Sequence, residues 1–321
     1  MIGVFGAAGF LGRNVVLDLR SRGLQVRAVS RRFDDPAALL EAGAQIVQAD
    51  LADSPAISAA LAGVSHVIQL VSESGPGNGN SRLIQDLETS VLPQVRFLEL
   101  CQQAGIHRVV FASSGGTVYG RPLSVPIQED HPTRPLSSYG LTKLIVENYL
   151  ALFTEGYGLN HVILRISNPY GPWQRFRNGQ GLIANVIAHA RDGTPVPVYG
   201  DGVAERDYIY VGDVCAAFHA ALFRPEAVRQ TVNIGSGIGR SVLEVLDAVE
   251  EMLGHPLARS HIPMRGTDVA RSVLSIDRAA TVLGWAPMTS FTDGLQRTLA
   301  FAGLLGEDPA ALAATEAPPT P

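Results

Sequence analysis

A tyrosine and a lysine, Tyr139 and Lys143, stand four residues apart in the middle of the chain. In a helix, this spacing places the phenol and the ammonium on one face. A free phenol titrates near pH ~10, too high for a general base at neutral pH, but a neighbouring cation favours phenolate. The pair can therefore take a proton from a hydroxyl group, with Tyr139 as base and Lys143 as its partner. The same spacing is also common by chance on amphipathic helices.

A glycine-rich turn follows the apolar run 2–5, and the segment 14–21 behind it reads as the start of a helix. Between a strand and a helix, such a turn binds a pyrophosphate, because glycines let backbone N–H groups approach the ligand and the helix N-terminus adds positive potential. The pattern therefore predicts a dinucleotide site. If the ligand carries a nicotinamide, the positive ring also favours the phenolate of Tyr139. The predicted residues of this turn are Gly6, Gly9, Phe10, Leu11 and Gly12.

The residues that follow the second strand candidate decide which dinucleotide binds. Dinucleotide folds that prefer NAD usually carry an acid after the second strand, but here the strand 25–29 is followed by Ser30, Arg31 and Arg32. Arg31, beside Ser30, can hold the 2′-phosphate of NADP, or it can belong to a solvated basic turn. The predicted cofactor is therefore NAD(P), with NAD and NADP both open.

Three further residues, at the ends of two strand candidates, complete the predicted cofactor site. Asp50 and Leu51 follow the third strand candidate, 45–48, and Asp50 can accept a hydrogen bond from the adenine amino group or cap a helix. Leu70 lies near the end of the fourth strand candidate, 66–71. Both positions lie where parallel strands end, and ligands bind at that edge of a sheet.

A serine-rich turn follows the fifth strand candidate, 108–112. A hydroxyl in this turn can hydrogen-bond the substrate oxygen that Tyr139 deprotonates. The alternative is a turn whose serines satisfy its own backbone.

Composition narrows the class of protein. The chain has 321 residues, is 46% hydrophobic and has a net charge of −5, with no basic run longer than Arg31 and Arg32. Nucleic-acid binding is therefore disfavoured. Cys101 and Cys215 are expected to be buried, reduced thiols, which fits a cytoplasmic protein. No secretory signal or membrane span is predicted. No metal site is predicted either, since the eight histidines are scattered.

Strand and helix signals alternate through the first half of the chain, which predicts an α/β fold with a Rossmann-type doubly wound parallel sheet and a smaller C-terminal substrate-binding lobe. The remaining strand candidate is 161–166, and the clearest helices are 92–104 and 139–154. The predicted domains are a dinucleotide-binding domain at 1–167, joined by a later segment near 208–236, a substrate-binding lobe at 168–306, and a disordered tail at 307–321.

Over roughly residues 1–300, the chain resembles the extended short-chain dehydrogenase/reductase family, of the NAD-dependent epimerase/dehydratase type, and especially the nucleotide-sugar 4-epimerases that include UDP-glucose 4-epimerase. The motifs that carry the resemblance are the glycine turn 6–12, the turn 113–120, Tyr139 to Lys143, Leu164 to Pro172, Gly200-Asp201-Gly202, Arg206-Asp207-Tyr208, Arg265 with Asp268, and Leu283-Gly284-Trp285.

The resemblance implies a role for each catalytic residue. Tyr139 is the catalytic base, and Lys143 is its partner and also holds the nicotinamide ribose. Counted from Phe111, Ser114 matches the active-site hydroxyl and contacts the substrate together with Tyr139. Counted back from the end of the turn, the match shifts by one residue, so Thr117 remains a candidate.

The resemblance also implies a substrate site. Asn168, Arg206 and Arg265 match positions that hold the substrate diphosphate, and Asp268 matches one near the nucleotide ribose. Two arginines suit a diphosphate because guanidinium forks bond phosphate oxygens bidentately. For either arginine alone, a surface salt bridge is an equal alternative.

The expected function is that of a 4-epimerase acting on a nucleoside-diphosphate hexose, with a UDP-sugar favoured, through a transient 4-keto sugar and a tightly bound nicotinamide cofactor. An NADPH-dependent reductase of a 4-keto nucleotide sugar is the alternative, and a non-catalytic dinucleotide-binding regulator is disfavoured by the intact Tyr139 and Lys143 pair. Dehydratase and decarboxylase branches carry carboxylates in the active-site turn, which Gly115-Gly116-Thr117 lacks. A homodimer through 92–104 and 139–154 is expected.

Overall fold

The computed structural model describes residues 1–73, 75, 80–175, 181–263 and 269–305. A π-helical turn, Leu87–Val91, joins the helices Leu83–Asp86 and Leu92–Gln103. The strands are β1 (Ile2–Phe5), β2 (Val26–Ser30), β3 (Gln45–Gln48), β4 (His66–Gln69), β5 (Arg108–Ser114), β6 (His161–Ile166), β7 (Asn168–Tyr170), β8 (Val196–Tyr199), β9 (Glu205–Tyr210), β10 (Gln230–Ile234), β11 (Gly239–Ser241), β12 (Arg259–Ile262) and β13 (Arg271–Ser272). The helices are α1 (Phe10–Ser21), α2 (Ala37–Glu41), α3 (Ser54–Leu61), α4 (Leu83–Asp86), α5 (Leu92–Gln103), α6 (Ser138–Tyr157), α7 (Leu182–Asp192), α8 (Val211–Phe223), α9 (Val242–Leu253), α10 (Asp277–Leu283) and α11 (Phe291–Phe301).

Seven parallel strands form the main sheet, in the order β3-β2-β1-β4-β5-β6-β10. The chain winds outward from β1 to β3 and then crosses back to begin the other half at β4. The prediction of a Rossmann-type doubly wound parallel sheet is therefore confirmed. The change of direction between β1 and β4 opens a crevice at the carboxyl ends of these two strands, where ligands bind in such folds.

Two hydrophobic cores lie on opposite faces of the main sheet. Successive strand residues point to opposite faces, so Val4 packs into the core under α1 and α8, while Phe5 packs into the core under α3, α5 and α6. Phe97 and Phe218 are the large aromatic residues of these helices that are fully buried. Each such burial contributes about 1.5–3 kcal/mol, which fixes the helices that present the site.

The C-terminal part of the chain builds two smaller sheets. One contains β11, β9 and β13, with β7 paired to β9, and the other contains β8 and β12. Strand β10, which lies within the segment predicted to join the first domain, belongs to the main sheet. The predicted domain boundaries themselves remain predictions, and the predicted tail 307–321 lies outside the described residues.

The two cysteines of the chain, Cys101 and Cys215, are both unpaired and buried, as expected. Among the helices of the described residues, none is long and apolar enough to cross a membrane.

A buried carboxylate fastens the C-terminal segment to the main sheet. In the first turn of α8, Asp213 accepts hydrogen bonds from the backbone N–H of Met288 at 3.0 Å and of Thr289 at 3.1 Å. Its carbonyl oxygen also accepts from the indole N–H of Trp285 at 2.9 Å. Burial raises the pKa of the Asp213 carboxyl group. This side chain therefore holds the turn that leads into α11.

Replacing Asp213 with asparagine should destabilise the fold. The amide of Asp213→Asn offers one acceptor oxygen, so one of the two backbone N–H groups faces a second donor. An unsatisfied buried donor costs about 1–3 kcal/mol. Urea denaturation measures the loss in free energy of unfolding, with Asp192→Asn as the control because Asp192 pairs with Arg191 at the exposed end of α7. Equal stability of Asp213→Asn and wild type would contradict the anchoring role.

Candidate active site

A cleft of about 1000 Å³ opens at the carboxyl ends of the main-sheet strands. Gly12 and Lys143 are buried beside it and are not among its lining residues. Arg265 and Asp268 lie outside the described residues. The structure brings the other predicted site residues to this cleft, which they line together: Gly6, Gly9, Phe10, Leu11, Ser30, Arg31, Asp50, Leu51, Leu70, Ser114, Thr117, Tyr139, Asn168 and Arg206.

The glycine turn forms an open end of helix α1. A Cβ atom at Gly12 would lie 2.2 Å from the carbonyl oxygen of Gly6, so only glycine permits the helix to approach the turn this closely. Gly9 caps α1 without a side-chain hydrogen bond, and the first turn of α1 carries no acidic residue. The backbone N–H groups of this end therefore face the cleft without an acidic competitor, an arrangement that fits a dinucleotide pyrophosphate.

The adenosine edge of the cleft is rich in charged side chains. Arg31 lies 3.1 Å from the carboxylate of Glu73 and 4.0 Å from that of Asp50. Asp50 also accepts a hydrogen bond from the backbone N–H of Ala52 at 2.9 Å. Helix α3 is capped by Asp53 instead, so the alternative in which Asp50 caps that helix is wrong. Asp50 remains available to a ligand at the cleft.

The first turn of helix α6 places Tyr139 in the cleft. The N-cap residue Ser137 accepts a hydrogen bond from the backbone N–H of Gly140 at 3.2 Å. A Cβ atom at Gly140 would lie 2.8 Å from the carbonyl oxygen of Thr117, which is closer than real side chains approach. Glycine at this position therefore lets the helix dock on the turn that carries Ser114 and Thr117.

Both candidate hydroxyl groups lie near the phenol, in different environments. Burial raises the pKa of the Tyr139 phenol, and the Ser114 side chain acts in the opposite direction by favouring the ionised form. The Thr117 hydroxyl is buried and has no hydrogen-bond partner within the described residues. Ser114 and Thr117 both line the cleft with Tyr139, and of the two hydroxyl groups, that of Ser114 acts on the pKa of the phenol.

Burial dominates the ionisation of Tyr139 and Lys143. The Lys143 ammonium donates to the carbonyl oxygen of Ala112 at 2.9 Å and lies 5.7 Å from the centre of the Tyr139 ring. Burial raises the pKa of Tyr139 to about 12 and lowers the pKa of Lys143 to about 8. The expectation that the neighbouring ammonium lowers the pKa of the phenol is therefore wrong for the protein alone. Desolvation outweighs the attraction between the two groups.

A buried polar network, which the sequence analysis missed, lies directly behind these residues. Glu147 forms an ion pair with Arg165 at 2.6 Å, with side chains 5% and 8% exposed, and it accepts a hydrogen bond from the Ser113 hydroxyl. Arg165 also donates to the phenol oxygen of Tyr119 at 3.0 Å. The network thereby ties β5, α6 and β6 together. Glu147 follows Lys143 by four residues, so the two lie on the same helix face. This spacing was the signal in the sequence that could have indicated the network.

Two paired strands of the smaller lobe form the opposite wall of the cleft. Asn168 on β7 donates to the backbone carbonyl of Asp207 at 3.1 Å, and Arg206 on β9 donates to the backbone carbonyl of its neighbour Glu205 at 2.8 Å. The fully buried carboxylate of Asp207 accepts from the backbone N–H and the hydroxyl of Ser236, both at 2.7 Å. Asn168 and Arg206 therefore stand on a wall that Asp207 holds in place.

Arg13 and Trp173 also line the cleft and were not predicted. The guanidinium of Arg13 lies 4.4 Å from the centre of the Trp173 ring. The position of Arg13 directly after the last glycine of the turn was the available signal, because the first turn of the helix faces the ligand.

Comparison with known proteins places the chain in a family. The model of the NAD dependent epimerase/dehydratase family matches residues 2–235. The chain is 33% identical to a putative UDP-glucose 4-epimerase of Methanocaldococcus jannaschii, over 93% of this chain and 97% of that one. Among solved structures, it is similar to the UDP-glucose 4-epimerase of Thermotoga maritima with UDP-glucose, with a TM-score of 0.88, 30% identity, and coverage of 94% of this chain and 97% of that one. It is also similar to the UDP-glucose 4-epimerase of Thermus thermophilus in complex with NAD, with a TM-score of 0.86, 33% identity, and coverage of 94% and 98%. The chain therefore belongs to the NAD-dependent epimerase/dehydratase family.

Proposed function

We propose that the protein is a nucleotide-sugar 4-epimerase that acts on a UDP-hexose and keeps a nicotinamide dinucleotide bound. The observation that carries the proposal is that Tyr139 and Ser114 line one cleft together with the glycine turn and Arg206. The similar structures from Thermotoga maritima and Thermus thermophilus, one with UDP-glucose and one with NAD, support this choice of ligands.

The residues of the cleft supply the proton transfers of the reaction. The oxygen of Tyr139 takes the proton from the sugar 4-hydroxyl, and the Ser114 hydroxyl hydrogen-bonds that sugar oxygen. A nicotinamide, when bound, would accept the hydride from the sugar C4 atom and would give it back to the other face of the 4-keto sugar. Once the 4-keto sugar has turned its other face, Tyr139 returns the proton to the sugar oxygen. The inverted sugar then leaves the protein unchanged, so one set of groups serves both directions.

Because Tyr139 is buried, its phenolate forms only under a certain condition. Because the pKa of Tyr139 is about 12 in the protein alone, the phenol is protonated at neutral pH. A positive ring beside the phenol favours the phenolate. We propose that Lys143 holds the nicotinamide ribose in this position and that the catalytic base forms in the loaded cleft.

The substrate side of the cleft suits a nucleoside diphosphate. Asn168 and Arg206 line it together, and Arg265 with Asp268 are proposed to complete it from outside the described residues. The turn at Ser114 carries no carboxylate. Elimination of water needs an acid and a base at the sugar carbons, so the absence of a carboxylate from this turn favours epimerisation over dehydration.

A second candidate function, reduction of a 4-keto nucleotide sugar with NADPH, is favoured by the arginines at the adenosine edge of the cleft. A reductase consumes its cofactor, whereas an epimerase reuses it. The two functions are distinguished by incubating the purified protein with UDP-glucose and no added cofactor. Conversion to a second UDP-hexose supports the epimerase. Conversion of a 4-keto sugar only with stoichiometric loss of NADPH supports the reductase.

We also propose that the protein works in the cytoplasm as a homodimer. Apolar side chains are exposed along the neighbouring helices α4, α5 and α6, including Ile84, which is 70% exposed, and Leu152, which is 59% exposed. Contiguous exposed apolar residues favour an interface. Ile84→Asp should therefore yield a monomer in light scattering, whereas Met288→Asp, at a site 88% exposed elsewhere, should leave the mass unchanged. A monomeric wild type would refute the dimer.

Removing the phenol oxygen should abolish turnover and preserve the fold. Tyr139→Phe should lower kcat for UDP-glucose by at least ~100-fold, since general acid–base groups contribute this much or more. Tyr157→Phe is the matched control, because Tyr157 lies on the same helix and is 64% exposed. Activity of a folded Tyr139→Phe protein within a few-fold of wild type would rule out the assigned base.

Arg206 should act on substrate affinity rather than on proton transfer. Arg206→Ala should weaken competitive inhibition by UDP by about 10- to 100-fold, the loss of a charge-assisted hydrogen bond, and leave dinucleotide binding nearly unchanged. The control is Arg271→Ala, because Arg271 pairs with Glu205 outside the cleft.

The inhibition assay also tests the class of substrate. UDP, dTDP and GDP are compared as inhibitors of the wild type and of Arg206→Ala. If none of them inhibits the wild type, or if the variant binds all three as well as the wild type does, the nucleotide-sugar proposal fails.

A further inference from the structure

A second glycine-rich turn, residues 235–239, follows strand β10 at the edge of the main sheet. The backbone N–H groups of Ser236 and Gly237 both donate to the side chain of Asp207 on β9, and Gly237 has a backbone φ of 73°. Successive backbone N–H groups in such a turn form a concave site for an anion. In this second glycine turn, the protein supplies the anion itself, because the carboxylate of Asp207 fills the site.

The hydrogen bonds to the Asp207 carboxylate come from neutral donors. Its Oδ1 atom accepts from the backbone N–H and the hydroxyl of Ser236, both at 2.7 Å. Its Oδ2 atom accepts from the backbone N–H of Gly237 at 3.3 Å and of Leu274 at 3.2 Å. Burial raises the pKa of this carboxyl group, and the hydrogen bonds act in the opposite direction. Because each oxygen faces a backbone N–H, which can only donate, the arrangement favours the ionised carboxylate.

Glycine at position 235 makes room for this carboxylate. A Cβ atom at Gly235 would lie 2.3 Å from Oδ2 of Asp207 and 2.9 Å from its Cγ atom. Real side chains do not approach other atoms this closely, so a methyl group at this position would push the carboxylate out of the second glycine turn.

The Asp207 carboxylate joins three segments of the chain around β9. Ser236 and Gly237 follow β10 of the main sheet, whereas Leu274 lies just after β13 of the smaller sheet. The hydroxyl of Ser167, between β6 and β7, donates to Oδ1 at 3.4 Å. One buried side chain therefore fixes β9 relative to the main sheet.

The neighbouring residue, Arg206, is the one that reaches the cleft. Adjacent residues of a strand point to opposite faces, so Arg206 lines the cleft while Asp207 is fully buried behind it. The depth at which the Arg206 guanidinium enters the cleft is thus set by the strand that Asp207 anchors. A small displacement of a binding group is enough to weaken its contact with a ligand.

We propose that Asp207 is a positioning residue for the substrate diphosphate, which fills the second glycine turn and thereby holds Arg206 where it binds phosphate. The proposal rests on the proposed function in taking a UDP-sugar as the ligand of Arg206. Because Asp207 acts through Arg206 and not on the reacting sugar, its loss should change substrate affinity rather than proton transfer.

The first test measures UDP binding by titration calorimetry, together with KM and kcat for UDP-glucose. Asp207→Asn replaces one acceptor oxygen with a donor that faces a backbone N–H. It should weaken UDP binding by about 10-fold, the effect of a lost charge-assisted hydrogen bond, raise KM in proportion and leave kcat nearly unchanged. Asp213→Asn is the matched control, because Asp213 is also buried, also accepts from two backbone N–H groups and lies outside the cleft. This control should lose stability without weaker UDP binding.

A second variant displaces the carboxylate without removing any hydrogen-bonding group. Gly235→Ala should weaken UDP binding as Asp207→Asn does. Gly156→Ala in α6 is its control, because a Cβ atom there would meet no side chain or distant backbone atom of the described residues within 4 Å. Thermal denaturation reports the folding of each variant, and Gly235→Ala keeps the test open if Asp207→Asn does not fold.

A double variant separates positioning of Arg206 from a general effect on the fold. Adding Asp207→Asn to Arg206→Ala should not weaken UDP binding further, because changes that act through one contact are not additive. Additive losses overturn the proposal. Wild-type UDP affinity in folded Asp207→Asn and Gly235→Ala overturns it as well, and so does a fall in kcat at unchanged KM.

The outcomes also separate this inference from the proposed function. A wild type that converts UDP-glucose, with an Asp207→Asn variant that keeps full UDP affinity, overturns this inference alone. A protein whose variants lose UDP affinity through Arg206, but which leaves UDP-hexoses unchanged, overturns the proposed function alone.

Discussion

The buried ion pair between Glu147 and Arg165 is the interaction on which the geometry of the cleft depends. It joins helix α6 to strand β6, and through Ser113 it also holds the end of β5. Glu147 lies two helical turns after Tyr139, and Ser113 directly precedes Ser114. The phenol of Tyr139 and the hydroxyl of Ser114, which come from distant segments, are thus positioned by one pair. Breaking such a pair by removing one partner costs about 3–5 kcal/mol, because a buried charge is left uncompensated.

Close backbone contacts provide the second constraint on the site. Gly12 brings helix α1 onto the glycine turn, and Gly140 brings helix α6 onto the turn at Thr117. In both places a methyl group would overlap a carbonyl oxygen. The two helices therefore present their first turns to the cleft at a depth that larger residues do not allow. One turn leaves backbone N–H groups open to an anion, and the other delivers the phenol of Tyr139.

The sequence predicted those parts of the site that depend on local pattern. Alternating strand and helix signals predicted the doubly wound sheet, and the glycine turn lies on the cleft where the pattern placed it. A count of residues leaves Ser114 and Thr117 both as candidates, and both line the cleft. The direction of the pKa shift of Tyr139 depends on burial, which residue spacing does not reveal. The contact of Arg13 with Asp35 joins segments 22 residues apart, so no local pattern predicts it.

Desolvation links the fold to the chemistry. A site that buries a phenol and an ammonium together disfavours the charged form of each, as the opposite shifts of Tyr139 and Lys143 indicate. Formation of the phenolate under these conditions depends on charge brought in by a ligand, because a phenol with a pKa of about 12 is protonated at neutral pH. This arrangement suits a reaction in which the keto sugar must stay in the cleft until its proton is returned, because proton transfer then requires both the cofactor charge and the substrate hydroxyl in place. The burial that keeps the phenol of Tyr139 protonated thus also restricts its action as a base to the cleft with its ligands in place.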